Sequence, residues 1–425
     1  MSDDPRPVHG GVGPRRSDSS ICLVSGGTER AERMPTFQRL TVIHNYYQQA
    51  GGEDEAFRSE VELLTAHGHE VFTYTLDNRV IGSAKRLRLA RDTIWNSRTY
   101  ADLRAHFRAT KPAIAHFHNT FPLVSPAAYY AARAEGVAVV QTLHNFRLSC
   151  LNALFYRDGR ICEDCLGRSV AWPGVMHACY RGDHGASGVV AAMLAVHRAA
   201  GTWRNLVGAY IALSRFARSK FLQAGLPPER LHVKPNFLPF DPGVGRHDRG
   251  FALYVGRLSA EKGLVTLLRS WAQAGEGRSL KIVGTGPYEH LATEQRAGVE
   301  WVGWLPHERV LELMKEAAFL VLPSECYENF PLTLVEAFAT GLPVIGSSGG
   351  SVGELIEDFV TGRLCPPGDV DELAKALQWA HAHPEHMRAC GERARAEFLG
   401  KYTAGRNYAQ LLEVYHHAAG MRAGL

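Results

Sequence analysis

The sequence predicts an α/β protein built from two doubly wound, Rossmann-like domains that face each other across a cleft. Three observations carry that expectation. Short apolar runs ending in Gly, Pro, Ser or polar loops alternate with segments of helical periodicity, as in a parallel sheet covered by helices. The pattern restarts after a proline-punctuated stretch, Lys234-Pro235-Asn236-Phe237-Leu238-Pro239, suited to a linker. The chain has 425 residues, 45% of them hydrophobic, which is enough for two cores.

Residues 1–37 are rich in Pro, Gly, Ser, Asp and Arg, with Ile21-Cys22-Leu23-Val24 as their apolar cluster. They read as a disordered tail without the apolar stretch of a signal peptide, and Met34 is a candidate alternative start. Leu40–His44 reads as a buried strand, Gly51-Gly52 as the loop after it, and Glu53–His67 as an amphipathic helix. Further strands are expected at His69–Tyr74, Ala113–His118 and Val137–His144. Together these make an N-terminal acceptor domain, 38–236, with a cysteine-rich insertion at about 150–180. The second domain, 237–400, restarts with Phe251–Gly256 and continues with strands at Leu280–Gly284, Val299–Gly303, Phe319–Pro323 and Pro343–Gly346. Residues 401–425 read as a terminal helix that can cross back to the first domain. Open α/β sheets bind ligands at the carboxyl ends of their strands, so the site is expected between the domains.

Charge excludes little. Lys plus Arg number 47 against 43 Asp plus Glu, a balance of +4, too small to argue for nucleic acid as a partner. No run approaches the roughly 18 apolar residues of a membrane span. The longest, Val189–Val196, stops at His197-Arg198. A cytoplasmic protein is expected. The stretch Ser187–Tyr210, with Trp203 and Arg204, suits either a buried helix of the domain or a peripheral contact at the inner face of a membrane.

Two segments carry chemistry. Gly256-Arg257-Leu258-Ser259-Ala260-Glu261-Lys262-Gly263 lies between a strand and a helix, where Arg257 offers a forked pair of donors and Lys262 a point charge to one diphosphate; Lys234, just before the linker, is a further candidate cation of the cleft. In Pro323–Gly341, Pro331 suits the first position of a helix and Gly341 its C-terminal cap. The amides of Leu332 and Thr333 are then free donors at a helix start, a natural anion site. Glu328 precedes that helix and Glu336 lies within it, so both acids can address one ligand bearing phosphate and hydroxyls. A nucleotide-sugar has that chemistry.

These residues resemble glycosyltransferase family 4, whose retaining members have the two-domain GT-B architecture. Glu328 and Glu336 match its E-x7-E motif, Arg257 and Lys262 its diphosphate-binding pair, and Gly284-Thr285-Gly286-Pro287 its glycine turn. The resemblance implies a nucleoside-diphosphate sugar as donor. Glu328 would contact the donor sugar, with the amides of Asn329 and Phe330 on its hydroxyls. Glu336 would bind the ribose, and Val302-Gly303-Trp304 would fall where the family holds the base. Gly51-Gly52 matches the loop near phosphate and acceptor, His144 a histidine near the reacting sugar, and His118 and Asn119 would line the acceptor pocket. The acceptor is left open among a polysaccharide precursor, a lipid-linked sugar and a small metabolite. With fixed cations at the leaving group, no cofactor is required for catalysis. Rival readings are an epimerase or hydrolase on the same architecture, and a silent sugar-nucleotide-binding subunit. A pyridoxal-phosphate-dependent phosphorylase is disfavoured because no lysine stands in a corresponding context.

Four of the eight cysteines, Cys150, Cys162, Cys165 and Cys179, crowd into the insertion. They suit a structural tetrahedral zinc, with free thiols or a pair of disulfides as alternatives. Reducing cytoplasm disfavours the disulfides.

Overall fold

A computed structural model describes residues 37–48, 51–83 and 86–422. The expectations for residues 1–36, including Met34, lie outside them. The first sheet contains β1 (Arg39–Tyr46), β2 (Glu70–Asp77), β3 (Ile114–Phe117), β4 (Ala138–Leu143), β5 (Ala209–Ala212) and β6 (Leu231–Val233). Its order is β2-β1-β3-β4-β5-β6, and every neighbouring pair is parallel. The second contains β7 (Phe251–Val255), β8 (Ser279–Val283), β9 (Val299–Gly303), β10 (Phe319–Leu322), β11 (Val344–Ser347) and β12 (Gly362–Cys365). Its order, β9-β8-β7-β10-β11-β12, is again wholly parallel. Both orders reverse direction beside their first strands, which opens a crevice at the strands' carboxyl ends. The inner strands are buried on both faces, as helix-covered parallel strands must be.

Three strands escape the sequence reading. β6 has three residues and β5 and β12 four each. The expected helix over Ser187–Tyr210 is also corrected. Helix α2 (His184–Ala199) starts on an Asp183 cap and ends before Gly201, whose φ of 68° breaks the helix; Tyr210 belongs to β5. Trp203 is buried in the core of the first sheet beside Met193 and Tyr210, so it is not available to a membrane. Arg198 donates to the carbonyls of Leu148, Arg168 and Ser169 and thereby ties down the insertion. Among the described residues, no helix is long and apolar enough to cross a membrane.

Three further helices frame the cleft: α1 (Gly52–Ala66), α3 (Leu264–Ala274) and α4 (Leu332–Thr340). The terminal helix α5 (Ala404–Arg422) packs on β4 and β5 of the first sheet. Its Tyr415 is fully buried, with the hydroxyl 2.9 Å from His116 Nδ1.

Candidate active site

On the second sheet, the loop after β7 is held by the glycine turn after β8. Leu258 donates its amide to Thr285 O at 2.9 Å, and Tyr288 donates to Leu258 O at 2.9 Å. The approach is so close that a Cβ on Gly284 (φ 139°) would sit 1.9 Å from Gly256 O, and one on Gly286 (φ 158°) would sit 2.6 Å from Leu258 O. Only glycine fits either place. This pinning fixes Arg257 and Lys262 at the mouth of the sheet.

Lys262 Nζ donates to Glu328 Oε1 at 2.6 Å, and Ser324 Oγ donates to the same oxygen at 2.6 Å. Burial opposes the charge on Glu328, but Lys262 and Ser324 outweigh it and hold the carboxyl below its usual range. Burial likewise opposes the Lys262 charge, and Glu328 overcomes it, so the ammonium stays protonated well above its usual range. Arg257, Lys262, Glu328, Pro331 and Thr333 line one cavity of about 70 Å³. Pro331 is the cap residue of α4 rather than its first helical residue, with ψ of 117°, which leaves Leu332 to open the helix. Gly341 closes it.

Glu336 does not line this cavity. It is buried, and its Oε1 lies 2.9 Å from His307 Nε2. That hydrogen bond raises the His307 pKa. Trp304 stands in the loop after β9 and is 69% exposed. Phe330 is buried with its ring 5.9 Å from that of Tyr402. Asn329 donates its side-chain amide to Leu143 O at 2.7 Å, a bond between the two sheets that lands on the residue before His144.

The first sheet meets this edge with its own loops. Gly51 caps α1, with its amide donating to Asp54 Oδ2 at 3.1 Å; a Cβ on Gly52 would stand 3.6 Å from Leu332 Cδ1. The glycine loop therefore abuts the start of α4. His144 Nε2 lies 2.9 Å from His118 Nδ1. His118, Asn119, His144 and Arg147 line a cavity of about 60 Å³. Burial, followed by the neighbouring His118, drives the His144 pKa well below its usual value; burial also depresses His118, to about 4, against the pull of Glu60. Both imidazoles are neutral at pH 7. The Asn119 side chain donates to Asn45 O and accepts from the Phe121 amide, which fixes its orientation at the cavity wall.

Several participants escape the sequence reading. Ser324 and His307 were invisible as partners of the two glutamates, since nothing local marks them. Lys234, read as a further cleft cation, is instead buried, 3.0 Å from both Glu60 Oε2 and Asn407 Oδ1. Glu60 also lies 2.7 Å from His116 Nδ1 and 3.3 Å from His118 Nε2. Glu60, His116 and His118 bring their ligand atoms within 4.8 Å of one another, the one such group among the described residues. The Lys234 ammonium already supplies the cation there, so the cluster is an internal ion network. Glu53 accepts from Asn145 Nδ2 at 3.2 Å, and burial, then the neighbouring Asp54, push its pKa up to about 8. The four insertion cysteines are free thiols that line one small cavity.

Two facing Rossmann-like domains with a cleft of this construction define the GT-B architecture. Family models agree: "Glycosyltransferase Family 4" matches residues 55–241 and "Glycosyl transferases group 1" matches residues 241–397. The chain belongs to glycosyltransferase family 4. It is 30% identical over 228 residues to the amylovoran biosynthesis glycosyltransferase AmsK of Erwinia amylovora, a match covering 49% of this chain and 56% of AmsK. The chain thus spans about half the length of the curated relatives it matches. The fold is similar to that of Anabaena HepE solved with UDP and glucose, with a TM-score of 0.62 and 18% identity over 88% of this chain and 98% of HepE. It is similar also to sucrose-phosphate synthase from Thermosynechococcus elongatus, with a TM-score of 0.65 and 18% identity over 89% and 98% of the two chains.

Proposed function

We propose that the protein is a retaining glycosyltransferase that moves a sugar from a nucleoside-diphosphate sugar to an acceptor hydroxyl. The observation that carries this reading is the Lys262–Glu328 pair at the start of α4, with Arg257 and Thr333 on the same cavity. As the sugar departs, negative charge grows on the diphosphate. Arg257, Lys262 and the free amides opening α4 are fixed cations and dipoles already aimed at it, so they stabilise the transition state without reorganising. The step then needs no divalent metal. Glu328 remains ionised and presents its carboxylate to the electron-poor sugar, and retention follows from front-face attack or from a double displacement. Glu336 serves the ribose, and Trp304 the face of the base. HepE, a neighbour in fold, was solved with UDP-glucose, a donor of the proposed class.

The cavity beside His144 supports transfer over hydrolysis, because it offers an acceptor group a place next to an imidazole that can hydrogen-bond a hydroxyl. Donor screening by mass spectrometry, followed by NMR of the product anomer, tests the reading. Glu328→Ala should bind nucleotide and lose about 10²-fold or more in transfer. Transfer at the wild-type rate would remove Glu328 from the mechanism, and sugar release without any acceptor would favour a hydrolase.

A further inference from the structure

Cys150, the Cys162–Cys165 loop and Cys179 come from three segments of the insertion, and all four cysteines line one cavity of about 10 Å³. That volume holds a single water-sized occupant and no polynuclear cluster. We propose that it is a structural zinc site with four thiolate ligands. Soft sulfur donors in a closed set of four select zinc in a tetrahedral arrangement and leave no position for substrate.

Arg157 lines the same cavity, and its charge acts on both Cys162 and Cys179. Four thiolates around a divalent zinc carry a net charge of about −2, which the Arg157 guanidinium, itself paired with Asp164 at 3.0 Å and Asp158 at 3.3 Å, offsets in part. Such outer partners are what hold metal ligands in place.

Ala153 and Phe155, outside any hairpin turn or helix cap of the insertion, have φ of 69° and 50°, a conformation that costs non-glycine residues about 1–2 kcal/mol each. Regular structure there amounts to a two-residue hairpin, Tyr156–Arg157 with Arg160–Ile161, and the short helix Trp172–Met176. A metal tie is a direct way to over-determine such a segment. No three of the four sulfurs fall within 4.8 Å of one another, and Cys150 has its thiol 2.9 Å from Asn152 Oδ1. Ligation therefore requires the thiols to turn inward from the cavity wall, with Cys150 leaving Asn152.

A zinc here would have a mechanical consequence. Glu163, between Cys162 and Cys165, accepts from Lys220 Nζ at 2.6 Å, and the Phe155 ring lies 6.0 Å from that of Tyr327. Tyr156 donates to Glu325 at 2.9 Å. The insertion thus buttresses the loop that presents Glu328.

The test is metal analysis of full-length protein purified without chelator, which does not depend on the transferase reading. About one zinc per chain is expected, with loss of that zinc in Cys162→Ser/Cys165→Ser and retention in Cys165→His, which keeps four ligands. Cobalt substitution should give the intense visible bands of a tetrahedral thiolate site. Folded wild-type protein free of metal, with all four thiols reactive or joined as disulfides, would overturn the proposal. So would iron in place of zinc.

Discussion

Replacing Lys262 by Met separates the two tasks of the Lys262–Glu328 pair. At 2.6 Å, two unit charges attract by roughly 6 kcal/mol at an effective dielectric of about 20, most of which desolvation offsets. Removing one partner of a fully buried pair costs about 3–5 kcal/mol, and an exposed pair is worth about 0.2–1. With side chains 31% and 12% exposed, this pair falls between, at about 1–3 kcal/mol of stability. The rate should suffer more. Loss of one fixed donor to a developing charge costs about 10²–10³ in kcat, or about 3–4 kcal/mol. Urea denaturation and donor-saturated turnover measure the two effects. In Lys262→Met/Glu328→Gln no orphaned carboxylate remains, so stability should return while the rate does not. The pH response has a definite sign. In the wild type the Glu328 pKa is depressed, so its contribution is present above the unfolded value and is lost as pH falls through the folded one. In Lys262→Met burial is opposed by Ser324 alone, and the variant should gain relative stability on acidification. Wild-type turnover in Lys262→Met, or a double variant as unstable as the single, would refute the reasoning.

Two further outcomes are expected. Gly284→Ala should destabilise the second domain by more than about 2 kcal/mol and abolish donor binding, since its Cβ would meet Gly256 O at 1.9 Å; Gly277→Ala, with positive φ but open space around it, should cost about 1 kcal/mol. Equal effects in the two variants would show that packing against the Gly256 loop is unimportant. Glu53, with its pKa raised to about 8, binds a proton in the folded state over a range where the unfolded chain has released it, so it lowers stability as pH rises from about 4.3 to about 8. Thermal melts of Glu53→Gln should show a gain over wild type at pH 8 that vanishes at pH 4, and a constant difference across that range would contradict the assignment.

Much of the fold was legible because it rests on local signals. β1 and β7 announce themselves as apolar runs bounded by Gly or polar loops, and the Asp183 cap, though not singled out, lies in the sequence ahead of α2. What was lost lacked a period. Ala209-Tyr210-Ile211-Ala212 is four residues of buried sheet that reads equally well as the end of a helix, and only its pairing with β4 and β6 decides the matter. Trp203 beside Arg204 looks amphipathic in sequence, yet the indole goes to the core. An aromatic next to a charge does not reveal which side of a chain faces water.

Lysines show the same limit within the site. Lys234 and Lys262 both stand in loops near strand ends, and the overall charge of +4 says nothing about either. Their partners separate them. Lys234 is enclosed by Glu60 and Asn407, residues 174 and 173 positions away in sequence, and has no charge to spare for a ligand. Lys262 is paired by Glu328, yet that pair stays partly open to solvent on a cavity it shares with Arg257 and the start of α4. An ion pair with one open side holds a cation ready for a diphosphate; an enclosed one only fastens the fold. Sequence context placed both lysines near the cleft, and their different uses follow from contacts made across the whole chain.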